Sequence, residues 1–215
     1  MDRIITVKGS AKLSLRPDQV VISMTLTSEN ESYDSAMVQA NERLEALRSA
    51  LAPVGFDRTD LKTTNFRVST EYDFQNDQFG NGKRVFRGYS CTHELKLSLD
   101  FDAARLGQTL SAITGCEANP ELNVRFTVKD TAAVSDELLR QAADSALRRA
   151  RVLAAASGVN LGALVRIHYS WGDREFFSLT EFAGAGLLRS AKASLDFTPD
   201  SIDISDHATF VWEIM

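Results

Sequence analysis

The stretch QVVISMTLTSENESYDSAMVQANERLEALRSAL, residues 19–51, contains both periodicities that decide the fold. Apolar residues recur at every second position, which places Val20, Ile22, Met24 and Leu26 on one face of a strand over 19–27. The spacing then changes to that of a helix, predicted over 31–54, which Pro53 and Gly55 end. The apolar stripe of this helix consists of Tyr33, Ala36, Met37, Ala40, Leu44, Leu47 and Leu51. A strand followed directly by an amphipathic helix favours a sheet with a helix packed on it.

The flanking sequence predicts further elements of both kinds. An alternating segment at 5–15, with Gly9 as a bulge or bend, forms a predicted β-hairpin with the strand at 19–27. The remaining predicted elements are strands at 61–72 and 84–99 joined by a loop at 75–82, a helix ending at Gly115, a strand at 122–128, a helix at 131–157, and strands at 165–171 and 202–214. The order β-β-α-β-β-α-β-α-β-β predicts an α+β fold with a largely antiparallel sheet backed by helices.

The helix at 131–157 has an unusual apolar ridge. The ridge is mostly of small residues at about four-residue spacing: Leu138, Ala142, Ala146, Ala150 and then Leu153 or Ala154. Small residues on one face allow a helix to lie close to a sheet or to another helix.

Composition limits the class of protein. The chain has 215 residues, with 24 Lys and Arg against 29 Asp and Glu, so its formal net charge is −5. This balance argues against nucleic-acid binding, which depends on cationic side chains that neutralise phosphates. No linker divides the chain, which predicts a single domain over 1–215 with an irregular apolar segment at 173–200.

The location follows from the absence of targeting patterns. No run reaches the roughly 18 apolar residues of a membrane span, and the first residues lack the pattern of a signal peptide. The sequence as written is therefore expected to be cytoplasmic, with the periplasm or cell envelope as the alternative if a signal was removed before Met1. Cys91 and Cys116 are expected to be reduced and to behave as small hydrophobic residues, although a disulfide between them stays open.

No pattern of catalytic or ligand-binding residues stands out. The histidines His93, His168 and His207 lack metal-ligand spacing, and we find no nucleophile elbow, Walker loop or dinucleotide fingerprint. We therefore predict no catalytic, metal or cofactor residues and no cofactor. The alternative is a ligand binder or enzyme whose pocket is not recognisable from sequence, with Tyr89, Cys91 and His93 on one strand face as its first candidates.

The segment at 173–200 carries eight large apolar residues with weak periodicity. Two interpretations stay open: a loop folded onto its own core, or an apolar arm that packs on another subunit. The second makes the protein a homo-oligomer whose contacts include Phe176, Phe177, Leu179, Phe182, Leu187 and Leu188.

Short motifs spread over 3–213 carry a family resemblance. They are Ile5-Thr6-Val7-x-Gly9-x-Ala11, Pro17-Asp18, Ala36 with Ala40 and Asn41, Gly55, Thr63-Thr64, Gly88-Tyr89, the alanines 142, 146, 150 and 154, Leu161-Gly162, and Ile202-x-Ile204. In this order and spacing the sequence resembles the SIMPL-domain family, a domain of unknown function. It departs from the family pattern at Ala11, where Gly is usual, and at Pro199-Asp200, where Pro-Gly is frequent.

The resemblance implies a helix-backed α+β sheet, no established catalytic residues and self-assembly into oligomers. Bacterial relatives are exported to the periplasm or outer membrane, and some are linked to stress tolerance or are strong antigens. Eukaryotic relatives include a signalling adaptor associated with a kinase. We therefore expect a non-enzymatic, self-associating interaction or scaffold protein with a stress-related role, whose protein partner is unknown.

Overall fold

The computed structural model describes residues 3–76, 82–170, 172, 174–180 and 198–215. Its elements are β1 (Ile4–Leu15), β2 (Gln19–Asn30), α1 (Tyr33–Leu51), β3 (Lys62–Asn76), β4 (Gly82–Asp100), α2 (Ala103–Gly115), β5 (Glu121–Thr127), α3 (Thr131–Ala156), β6 (Leu161–His168) and β7 (Ile202–Ile214). The predicted α+β class and the predicted element order are confirmed. The pairings β1–β7, β6–β7, β2–β4 and β3–β4 are antiparallel.

The chain divides into two compact units. Unit 1 comprises Met1–Asp18, Thr127–Leu179 and Asp200–Met215, and unit 2 comprises Gln19–Phe126 and Thr180–Pro199. Each unit has its own sheet, with strand order β1-β7-β6 in unit 1 and β3-β4-β2-β5 in unit 2. The assignment of 1–215 to a single domain stays a prediction.

The predicted hairpin of the first two strands is wrong. β1 pairs along its whole length with β7, and β2 pairs with β4. The connection between β1 and β2 therefore passes from one sheet to the other, and Asp18 secures it within unit 1. Its backbone N–H donates to the Thr127 carbonyl, and its carboxylate accepts from the Lys129 N–H at 2.8 Å. Hydrogen bonds to residues more than 100 positions away leave no pattern in the local sequence.

The small-residue ridge of α3 packs closely on the unit 1 sheet, as predicted. Leu138, Ala142, Ala146 and Ala150 are fully buried. Gly9 causes no bulge, because β1 keeps a regular register through its pairing with Ala208. Its absent side chain is explained by the helix instead: a Cβ at Gly9 would lie 2.0 Å from the Ala142 carbonyl oxygen.

Unit 2 contains the larger core. The predicted inward face of β2 is confirmed, since Val20, Ile22, Met24 and Leu26 are buried. They pack with the other core residues, which are Leu44, Leu47, Leu51, Phe56, Leu61, Leu95, Leu97, Leu99, Leu106, Leu110, Ile113, Ala118, Val124 and Phe126. α1 and α2 thus cover one face of this sheet. The helix predicted at 31–54 ends as a 3₁₀ turn over Ala52–Val54, followed by Gly55 in the left-handed region at φ 89°.

The boundaries of several predicted strands shift. β3 and β4 extend toward one another to Asn76 and Gly82, beyond the predicted ends at 72 and 84. β6 covers Leu161–His168 rather than 165–171. Two register shifts against β7, next to Leu164, interrupt the alternation of β6. A strict two-residue period therefore misplaced the strand.

Candidate interaction surface

Two of the three residues first considered for a pocket on β4, Cys91 and His93, are accounted for by packing. Cys91 is completely buried, its sulfur lies 3.8 Å from that of Met37, and burial raises the pKa of its thiol. His93 is buried, with Nε2 2.8 Å from the Thr63 hydroxyl. Burial, followed by the positive charge of Arg48, lowers the pKa of His93. Neither side chain is therefore placed to meet a ligand from solvent.

Tyr89, the third of these residues, is half-buried and belongs instead to a largely exposed aromatic row toward the turn end of the β3–β4 hairpin. Its ring makes edge-to-face contacts with Tyr33 at 5.5 Å and with Phe86 at 5.4 Å between centroids. Phe86 contacts Tyr72 in the same way at 5.8 Å. We call the following residues the aromatic row: Tyr33, Phe66, Tyr72, Phe74, Phe86 and Tyr89.

The end of the aromatic row is exposed because α1, the helix on this face of the sheet, does not extend over it. α1 starts at Tyr33, which reaches Tyr89, and the hairpin continues past that point. Phe74 is consequently 76% exposed and Phe86 46% exposed. Such contiguous apolar surface is typical of an interaction site.

A cation lies over one ring of the row. The guanidinium carbon of Arg84 is 4.4 Å from the centroid of the Tyr72 ring, a cation–π geometry. The neighbouring Phe74 stays largely exposed beside this contact.

The opposite face of the hairpin is charged. Arg87 lies 3.6 Å from the Glu29 carboxylate and 3.8 Å from that of Asp73, with all three side chains more than half exposed. Gly88 follows at φ 147°, where a Cβ would approach the Asn30 carbonyl oxygen to 2.5 Å. Glycine at 88 thus permits the hairpin to pass closely over the end of β2.

The beginning of the predicted apolar segment is anchored in unit 1. The Arg174 guanidinium lies 2.6 Å from the Asp206 carboxylate, whose side chain is only 4% exposed. Tyr169 donates its hydroxyl to the same carboxylate at 3.0 Å and accepts from Arg174 at 2.9 Å. The Thr127 hydroxyl donates to the Phe176 carbonyl at 2.6 Å.

The six predicted oligomer contacts therefore have different environments. Phe176 is buried in the core of unit 1, where it packs within its own chain. Phe177 is half-buried and forms an isolated β-bridge with Thr127. Leu179 is 91% exposed. Phe182, Leu187 and Leu188 lie outside the described residues.

The sheet of unit 1 has an open face with a groove of about 810 Å³. Arg3, Arg166, His168 and Glu213 line it together with apolar side chains such as Val165. His168 and His207 are both exposed and border a shared depression of about 410 Å³.

The described residues contain neither a helix suited to a membrane nor a cluster suited to a metal ion. No helix there is both long and apolar enough to cross a membrane. No cluster of three or more histidine, cysteine, aspartate or glutamate side chains is suited to a metal ion within that part of the chain. Both cysteines are free thiols, Cys91 buried and Cys116 half-exposed.

Sequence periodicity did not reveal the aromatic row. The sequence signal that could have pointed to it is the alternation of Phe66, Val68, Tyr72 and Phe74 with charged and polar residues along β3. It identifies a face, but only the length of α1 against that of the hairpin shows that the face lacks a cover.

Comparison with known proteins gives a family and several distant relatives. The SIMPL family, described as "Protein of unknown function (DUF541)", matches residues 5–212. The 26 kDa periplasmic immunogenic protein of Brucella melitensis is 24% identical over 163 residues, covering 76% of this chain and 65% of the relative. Uncharacterized protein YggE of Escherichia coli is also 24% identical, over 165 residues, covering 77% of this chain and 65% of the relative. The chain thus spans slightly less than two thirds of the curated relatives that it matches.

Proposed function

Because the chain belongs to the SIMPL family, for which no molecular activity is defined, we propose from its own surface that it is a non-enzymatic, self-associating interaction protein. The observation that carries the proposal is the aromatic row, which is exposed where the hairpin extends past α1. An aromatic surface that is desolvated on association supplies much of the binding energy of an interface.

The proposal that the protein is not an enzyme is supported by the contacts of its ionisable groups with shifted pKa values. Glu45, Glu137 and Asp203 have lowered pKa values because arginine, lysine or hydroxyl groups bind their carboxylates at the surface. His93 and Cys91 are packed in a core. These groups are used for structure, whereas catalysis requires them to converge on a substrate.

Sedimentation velocity over a wide range of protein concentrations tests self-association. We expect the average mass of the wild type to rise with concentration, and the double variant Phe74→Ser, Phe86→Ser to stay monomeric. Val152→Ser is the matched control, because Val152 is a similarly exposed apolar residue on α3 of unit 1, whereas the aromatic row belongs to unit 2. A wild type that stays monomeric throughout would refute the proposal.

We also propose that the protein works in the periplasm or cell envelope rather than in the cytoplasm. A relative named as periplasmic supports this location. Fractionation of cells that express the native gene tests it, with recovery in the cytoplasmic fraction alone as the contrary result. A stress-related role rests on the family resemblance, and loss of growth under stress after deletion of the gene would be its test.

A second candidate function is the binding of a small anion in the groove of unit 1. Arg3, Arg166 and His168 line this groove together with one acidic side chain, that of Glu213. Titration with inorganic phosphate, followed by NMR shifts of the β6 amides, tests it. Shifts that persist unchanged in Arg166→Ala would count against this candidate.

A further inference from the structure

Among the residues that the structure describes, β3 offers a strand edge to a partner. In the order β3-β4-β2-β5 it lies at the margin of the sheet, and in the described part of unit 2 only β4 pairs with it. One row of its backbone N–H and C=O groups therefore points away from the sheet. The strand is 15 residues long and regular from Asn65 onward, since the bulge near residue 87 lies on β4.

The two faces of β3 differ sharply in chemistry. Phe66, Val68, Tyr72 and Phe74 point to the face of the aromatic row, as the ring contacts of Phe66 with His93 and of Tyr72 with Phe86 show. The odd-numbered residues of the strand point to the other face, where Asp73 approaches Arg87. They are Arg67, Ser69, Glu71 and Asp73.

We propose that β3 pairs antiparallel with β3 of a second copy, in a register centred on Thr70. The inference rests on the proposed self-association and names the surface that carries it. With a two-fold axis through Thr70, Phe66 lies opposite Phe74 on the face of the aromatic row, and Val68 lies opposite Tyr72. The symmetry repeats each pair, so all four apolar residues of the strand find an apolar partner.

The charged face favours the same register. Arg67 of each copy lies opposite Asp73 of the other, which gives two complementary charge pairs across the junction. Asp73 can accept this second cation because its own contact with Arg87 is long, at 3.8 Å, and exposed.

In neighbouring registers the side chains on one face of the strand pair less favourably. A centre at Glu71 puts two carboxylates directly opposite one another, which is unfavourable. A centre at Ser69 keeps a charge pair between Arg67 and Glu71 but places Val68 opposite Thr70. A shift by one residue reverses the faces altogether.

Charge exchange tests the register directly. Arg67→Asp and Asp73→Arg each place like charges across the junction, so each variant alone should dissociate at concentrations where the wild type associates. When the two variants are mixed, residue 67 of one again meets an opposite charge at residue 73 of the other, and both pairs are restored. We expect the mixture to recover the wild-type mass in sedimentation velocity.

The outcomes separate this inference from the proposed function. If the wild type associates but the single variants associate equally well, or the mixture fails to recover, the β3 register is wrong while self-association stands. If the wild type never associates, both fail. Circular dichroism of each variant confirms that it is folded, which is expected because both side chains are exposed.

A disulfide at the centre of the register provides a second measurement. Residues directly opposite in an antiparallel pair have Cα atoms about 4.5–5.5 Å apart, within the span of a disulfide. Thr70→Cys in a Cys116→Ser background should therefore form a covalent dimer on oxidation. Asn65→Cys is the matched control, because its two copies would be about 33 Å apart in this register. Equal cross-linking at both positions, or none at Thr70→Cys while the wild type associates, would overturn the inference.

Discussion

Substitution of Gly9 by alanine is expected to destabilise unit 1 strongly. The new Cβ would lie 2.0 Å from the Ala142 carbonyl oxygen and 2.7 Å from the Ala146 Cβ. The first contact is with helix backbone, so no side-chain rotation relieves it. An ordinary separation of about 3.5 Å requires α3 to move away from β1 by about 1.5 Å.

That movement determines the size of the effect. Overpacking of a core costs about 1–3 kcal/mol when side chains can adjust. Here the whole contact between α3 and β1 must loosen, including the contacts of the buried Ala146 and Ala150. We therefore expect a loss of about 3 kcal/mol in the free energy of unfolding.

Gly107→Ala is the matched control. Gly107 lies inside α2, and a Cβ there would meet nothing within 4 Å. The same change should stabilise the protein by about 0.5–1 kcal/mol, since alanine favours a helix. Ala146→Gly should rescue Gly9→Ala only in part, because the clash with Ala142 remains.

Urea unfolding followed by tryptophan fluorescence measures the effect. In a Trp171→Phe background the remaining tryptophan is Trp212, which is buried in the same cluster as Ala146. A Gly9→Ala midpoint equal to that of the parent would refute the close packing of α3 on β1.

Three further substitutions test other parts of the structure. Arg174→Met should lower the free energy of unfolding by about 3 kcal/mol, because the buried Asp206 carboxylate loses its cation. When Asp206→Asn is added to this variant, part of the loss should be recovered in the same urea assay. The free energy of unfolding of the wild type should fall as the pH drops below about 6.5. The reason is that the pKa of His93 is lowered in the folded protein, so the unfolded state takes up the proton first. Between neutral and mildly acidic pH, the urea midpoint of His93→Gln should therefore fall less than that of the wild type. Leu179→Ser should change the free energy of unfolding by less than about 0.5 kcal/mol, because that side chain is 91% exposed, and a larger loss of thermal stability would show that it packs in solution.

The predictable part of the fold was the part encoded by local pattern. The alternation at Val20, Ile22, Met24 and Leu26 identified a buried strand face, and the small residues of α3 identified a close helix contact. Both depend on residues near one another in the chain, where periodicity is a direct consequence of backbone geometry.

Long-range pairing was not accessible in the same way. The pattern at 5–15 fits a strand equally well beside β2 or β7, and the choice of β7 depends on residues 200 positions away. Gly9 was misinterpreted for the same reason, because its neighbour Ala142 is remote in sequence.

The candidate site followed a similar division. The apolar content at 173–200 predicted oligomer contacts there, yet Phe176 is a core residue and part of the segment lies outside the described residues. The aromatic row was missed because its residues look like ordinary strand positions. Their exposure depends on where α1 begins relative to the hairpin, a relation between elements rather than a property of either sequence.

Hydrogen exchange at two protein concentrations tests the central claim, that the β3 edge is the surface of self-association, most directly. Amides of β3 between Phe66 and Phe74 that point away from β4 should exchange slowly in concentrated protein and rapidly in dilute protein. β6 serves as the internal reference, because it is an edge strand with the exposed apolar residues Val165 and Ile167. We predict concentration-dependent protection in β3 with none in β6. Protection that appears in β6 instead, or exchange in β3 that is independent of concentration, would contradict the account.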